Sequence, residues 1–149
     1  MEILTYKTGS GGNCHLIQNT KGNRIFIELG LTTKEFMREK IGLKNVQGAL
    51  ISHLHSDHYN GKLALILQKI FPVYVPDSSG VAEIGDFIVR TFELQHDIPC
   101  YGFLVSSFGE KLLYICDTGF VSQKFKNVDY LMIETNHDRI SMENCEECI

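Results

Sequence analysis

Apolar residues along this chain come mostly in short runs bounded by turn formers, a pattern that predicts many strands and few helices. Strands are expected at Ile3–Tyr6, His15–Gln18, Arg24–Glu28, Ala49–Ser52, Val73–Val75, Phe87–Glu93, Tyr101–Ser106, Lys111–Cys116 and Tyr130–Glu134. Lys21-Gly22-Asn23, Gly85-Asp86 and Gly109-Glu110 are hairpin-type turns. One helix starts at Thr32, which has capping-box spacing to Glu35, and runs to about Lys40. A second runs from about Gly61 to Ile70, carrying Leu63, Leu67 and Ile70 at helical spacing, and stops before Pro72. Mostly hairpin connections with interspersed helices predict an α+β chain, sheet packed against sheet with helices outside.

Composition narrows the class. The chain has 149 residues, 44% apolar and 21% charged, enough for one globular domain over residues 1–149 with its own core. The richest apolar stretch, Leu63–Phe71, is interrupted by Gln68 and Lys69 and is too short to span a bilayer. No basic segment followed by an apolar core opens the sequence, so no secretory signal is read and a cytoplasmic, reducing setting is expected. The five cysteines fit that setting: Cys14, Cys100 and Cys116 read as small core residues or free thiols, and the lone Cys145/Cys148 pair as structural rather than ligating. The net charge of −4, with scattered basic residues, gives no bulk support for non-specific nucleic-acid binding.

The chemistry concentrates after the Ala49–Ser52 run, in His53-Leu54-His55-Ser56-Asp57-His58. Two imidazoles two residues apart on an extended segment point to the same side and can grip one divalent ion, with nitrogen donors suited to zinc. Asp57 and His58 follow on the turn into the next helix and can be aimed at a second ion. Titratable groups this close would repel or desolvate one another without a cation. His96 and Asp117, each at the end of a predicted strand, are further candidates.

These residues resemble the metallo-β-lactamase superfamily of metal-dependent hydrolases. The matching pieces are Gly9–Cys14, Ile25–Gly30, His53–His58 with Asn60-Gly61, the isolated His96, Tyr114–Gly119 and Asp129–Asp138. The Gly9–Asn13 opening and the Glu134–Asp138 segment are most similar to the nuclease-like and phosphodiesterase-like branch. The resemblance implies an αββα sandwich with a dinuclear site. His53, His55 and His96 would bind the first ion, Asp57 and His58 the second, and Asp117 would bridge. Two departures stand out. Glu28 occupies a position where the family usually has Asp, a residue expected to orient metal ligands. Members also normally continue to a further histidine that completes the second metal site, so a shortened C-terminus, an incomplete second half and weaker binding of the second ion are expected.

The implied activity is phosphodiester hydrolysis by a metal-bridging hydroxide between two divalent ions, zinc or alternatively manganese, on a phosphodiester or nucleotide substrate. Asp57 would orient the nucleophile and accept its proton. His137 would donate a proton to the leaving group, or stand in as a ligand, as would Cys145 or Cys148. The Gly9–Asn13 segment is either a source of backbone amides near the ions or a Gly-rich turn. Lys34, Arg38, Lys40 and Lys44 form either a surface for a polyanion or the solvated face of the first helix. Two alternatives remain open: a thioesterase-like acyl hydrolase, and a truncated non-catalytic metal-binding relative acting through a partner. In the second case a homo-oligomer or another chain would cover exposed strand edges, with no membrane involved.

Overall fold

A computed structural model of the chain describes residues 1–134. The strands are β1 (Glu2–Lys7), β2 (Cys14–Gln18), β3 (Arg24–Ile27), β4 (Val46–Leu50), β5 (Val73–Tyr74), β6 (Gly80–Ile84), β7 (Phe87–Leu94), β8 (Cys100–Ser107), β9 (Glu110–Ile115) and β10 (Tyr130–Ile133); the helices are α1 (Thr33–Arg38) and α2 (Gly61–Leu67). They form two five-stranded sheets, ordered β1-β2-β3-β4-β5 and β10-β9-β8-β7-β6. Hairpins join β1 to β2 and β2 to β3, and link β6 through β9. The pairs β3/β4, β4/β5 and β9/β10 are parallel. A parallel pair needs a long crossover: α1 and α2 serve in the first sheet, and residues 116–129 in the second.

Side-chain alternation sorts the core into two layers. Ile17, Ile25, Ile27 and Leu50 leave the first sheet toward the second, where they join Phe87, Val89, Phe103, Val105 and Leu112. From the opposite face of the same strands, Leu16, Phe26 and Ala49 pack under Phe36 of α1 and Leu63, Ala64 and Leu67 of α2. Phe26 is fully buried, with its ring centroid 5.9 Å from those of both Phe36 and Phe71. This is the expected sandwich, with helices outside the first sheet. Among the described residues no helix covers the outside of the second sheet. The 116–129 connection crosses instead, bringing Phe125 within 4.7 Å of the Phe92 ring. Gly102 is the cross-strand partner of Phe92, and a Cβ there would come within 2.3 Å of that ring. No helix among the described residues is long and apolar enough to cross a membrane.

The helix ends follow their local chemistry. Thr32 accepts from the Glu35 backbone N–H, and Glu35 reaches back to the Thr32 N–H, a complete capping box. Asn60 caps α2 by accepting from Leu63 N. That helix ends at Leu67 and continues only as turns toward Pro72, shorter than its apolar spacing predicts. One strand escapes the hydrophobic pattern: β6 is mostly exposed, pairs among the described residues only with β7 and buries only Ile84.

Glu35 also accepts from Lys7 Nζ at 2.8 Å, and this bond, with those from Thr32, holds its carboxyl down at about 2. A carboxyl depressed on folding stabilises the fold above its unfolded pKa of about 4.3, and that gain disappears as pH falls toward 2. Glu35→Gln should therefore melt below the wild type at pH 7, and the gap should close between about pH 4 and pH 2 in thermal melts. A gap independent of pH would assign the effect to packing instead.

Candidate metal centre

Parallel pairing sends the C-terminal ends of β3 and β4, and of β9 and β10, to shared edges of the sandwich. The segments leaving these ends, with the one leaving β7, carry the titratable cluster: Glu28 after β3, His53–His58 after β4, His96 after β7, Asp117 after β9 and Glu134 after β10. The two sheets are joined beside it, where Tyr101 N donates to Ser52 O, and Gln95 N donates to Thr118 Oγ1, tying the segments that leave β7 and β9.

His53 Nε2 lies 3.1 Å from His55 Nδ1, which lies 3.2 Å from His96 Nε2. Two ligands on a tetrahedral zinc at 2.0–2.1 Å sit about 3.4 Å apart, so this nitrogen set is already close to the spacing one ion requires. A second set is built on His58, whose Nε2 is 3.0 Å from Asp117 Oδ2 and 3.5 Å from Asp57 Oδ2. The same Asp117 oxygen is 3.4 Å from His53 Nε2, so it stands between the two sets. The donor types and spacings suit divalent metal better than a hydrogen-bond network. Clustered imidazole nitrogens cannot all find protons to share, whereas a cation satisfies their lone pairs together.

Buried contacts fix the ring orientations. His53 Nδ1 is 2.9 Å from Ser52 Oγ and 3.6 Å from Cys100 Sγ. Both oxygens of the fully buried Glu28 carboxylate accept from Ser52 N, at 3.3 and 3.2 Å, and Oε1 faces His58 Nδ1 at 3.4 Å. That last contact is an ion pair rather than an aligned hydrogen bond. Glu28 and Asp117 both adopt left-handed backbone, with φ of 65° and 32°, conformations that cost non-glycine residues free energy and cluster at functional sites.

These surroundings drive neighbouring histidines apart in charge. Burial, reinforced by His58 and His96, pushes His53 down to about 3 and leaves it a neutral donor. Burial also opposes charge on His58, but the carboxylates of Glu28, Asp117 and Asp57 outweigh it and hold its pKa up at about 9. Burial raises Glu134 as well.

All six sequence candidates from His53 to Asp117 therefore meet in one place. His137, Cys145 and Cys148 lie outside the described residues. Three participants had no assigned role from sequence. Asn13, fully buried, has Nδ2 3.1 Å from His58 Nε2 and 3.4 Å from Glu134 Oε1, while its Oδ1 accepts from Gly9 N. Glu134 Oε2 is 3.8 Å from His58 Nε2. Both stand in segments that carry the resemblance, which was the only signal for them. Asp97, exposed and next to His96, is 3.0 Å from His96 Nε2 and 3.4 Å from His55 Nε2. Nothing local in the sequence marks it.

Comparison with known proteins identifies relatives of the chain. The profile of the metallo-beta-lactamase superfamily matches residues 8–96. The chain is 28% identical over 163 aligned positions to exodeoxyribonuclease YycJ of Bacillus anthracis, covering 88% of this chain and 61% of that protein. It is 24% identical over 166 positions to exodeoxyribonuclease WalJ of Streptococcus pneumoniae, with the same coverage. The chain thus spans 61% of the length of the curated relatives it matches. Among solved structures, the short form of human tRNase Z superposes with a TM-score of 0.64 at 19% identity, over 96% of this chain and 81% of that one. Zinc-bound PqqB of Methylobacterium extorquens does so with a TM-score of 0.60 at 12% identity, over 82% and 59%. At such identities the likeness is one of fold.

Proposed function

The chain belongs to the metallo-beta-lactamase superfamily, and from that premise we propose that it is a metal-dependent hydrolase cleaving phosphodiester bonds at a dinuclear site. The observation that carries this reading is the pair of donor sets with Asp117 between them. His53, His55 and His96 would hold one ion, Asp57 and His58 the other, and Asp117 would serve both. Two such ions supply an acidified water and positive charge for the phosphoryl oxygens in the transition state. Asp57, about a quarter exposed at the mouth, orients the attacking water and accepts its proton. Glu28 acts through His58 by facing its Nδ1, which leaves Nε2 to the ion. The Glu28 carboxylate meets both Ser52 N and His58 Nδ1. Two relatives carry exodeoxyribonuclease in their names, which supports a nucleic-acid phosphodiester as the bond attacked.

Protein purified without chelator should carry tightly bound divalent metal and turn over a generic phosphodiester faster than a thioester. Fewer than one tightly bound ion per chain would sink the metal centre, and faster thioester turnover would transfer the site to acyl chemistry. Dialysis against a chelator should abolish turnover, and zinc or manganese should restore it.

A further inference from the structure

Beside the metal centre, outside its donor set, a groove of about 730 Å³ runs between the start of α1 and the loop entering α2. Resting on the reading above, we propose that this groove seats the backbone of a single-stranded polynucleotide, with Lys34 and Lys62 on its phosphates and Tyr59 against a base. The groove is lined by Lys34, Ser56, Tyr59, Asn60, Lys62 and Leu65, with threonines and a glycine, and by no carboxylate. That sign is local, since the whole chain carries −4. Lys34 and Lys62 are both exposed, and among the described residues no carboxylate forms a salt bridge with either, whereas Lys7 nearby is bound to Glu35 at 2.8 Å. Unneutralised lysines on a groove wall attract phosphates as point charges.

Ser56 joins the groove to the metal centre, because it stands between His55 and Asp57. A chain with its scissile phosphate at the metal donors would lay neighbouring phosphates along the groove, which a mononucleotide cannot do. Tyr59, half-buried, offers a ring for stacking, and an unpaired base can reach it where a base inside a duplex cannot. Of the basic residues around the first helix, only Lys34 lines this groove. Its partner, Lys62, comes from the other helix and is drawn in by the fold.

The test is fluorescence anisotropy with a fluorescein-labelled single-stranded oligonucleotide, as DNA and as RNA, checked intact on a denaturing gel after titration. Lys34→Glu/Lys62→Glu should weaken binding at least about tenfold at low salt. It should also flatten the slope of log K against log salt by about 1.4, two contacts at roughly 0.7 each. Lys44→Glu/Lys69→Glu makes the same charge change at exposed residues outside the groove and should bind almost as the wild type does. The same sequence as a duplex should bind more weakly. Equal losses in both double variants, no loss in either, or duplex binding as tight as single-strand binding would each overturn the proposal. Binding that depends on the groove lysines without hydrolysis would keep this inference and sink the hydrolase reading; hydrolysis with lysine-independent binding would do the reverse.

Discussion

Replacing Asp57 by Ala is expected to cut phosphodiester turnover about 10²–10⁴-fold with the fold retained, the range for losing a positioned general base. Among the proposed ligands, Asp57 is the one whose removal separates chemistry from folding most cleanly. Its side chain is partly exposed, whereas those of His53 and His58 are fully buried, so truncating either histidine would open a cavity and strand polar partners. Asp57 anchors the loop through its backbone oxygen, which accepts from Asn13 N at 2.6 Å, and that bond survives the substitution. Thermal melting within a degree or two of the wild type, metal content reduced at the second site and turnover lost is the expected set. Asp57→Asn should behave almost as badly, since it keeps the shape and loses the charge and the base. An unchanged kcat in either variant would refute the mechanism.

Gly30→Ala should be the most damaging methyl group in the protein, costing about 3 kcal/mol or more. A Cβ on Gly30 would sit 1.8 Å from Asp57 O, 2.5 Å from Asp57 C and 2.7 Å from Asn13 N, all backbone atoms that cannot swing away. Those atoms belong to a clamp: Gly30 N donates to Asn13 O, Asn13 N to Asp57 O, Leu29 N to His58 O and Asn60 N to Leu29 O. The methyl must either break the Asn13–Asp57 bond or push the two segments apart, and both carry groups of the metal centre. The gain from stiffening the unfolded chain, about 0.4–1 kcal/mol, is too small to offset that. Urea unfolding provides the measurement, with Gly42→Ala as the control because a Cβ there meets nothing within 4 Å. Equal stability of the two variants would show that the close approach is not a constraint.

Much of this architecture was legible before folding because it depends on neighbours in sequence. Alternation located most strands to within a few residues, and the Thr32/Glu35 spacing became the capping box it predicted. β6 was missed because an edge strand buries little and leaves no apolar alternation, although Gly85, at φ 56°, already marked its hairpin turn. The parallel pairing of β9 with β10 was equally silent. Its 116–129 crossover has no helix to announce it, and its packing rests on Phe125 meeting Phe92.

The site divides in the same way. The sequence by itself determined that His53 and His55 share a side, since two residues along an extended segment return to the same face whatever surrounds them. It could not say that His55 Nδ1 and His96 Nε2 stand 3.2 Å apart, that Asp117 lies between the two donor sets, or that Asn13 and Glu134 close on His58. Those contacts join residues 41 to 76 positions apart, and they exist because the ends of β3, β4, β7, β9 and β10 converge at one edge of the sandwich. Propensity and spacing act over a few residues, whereas convergence is set by strand register and sheet packing, which only the closed core supplies.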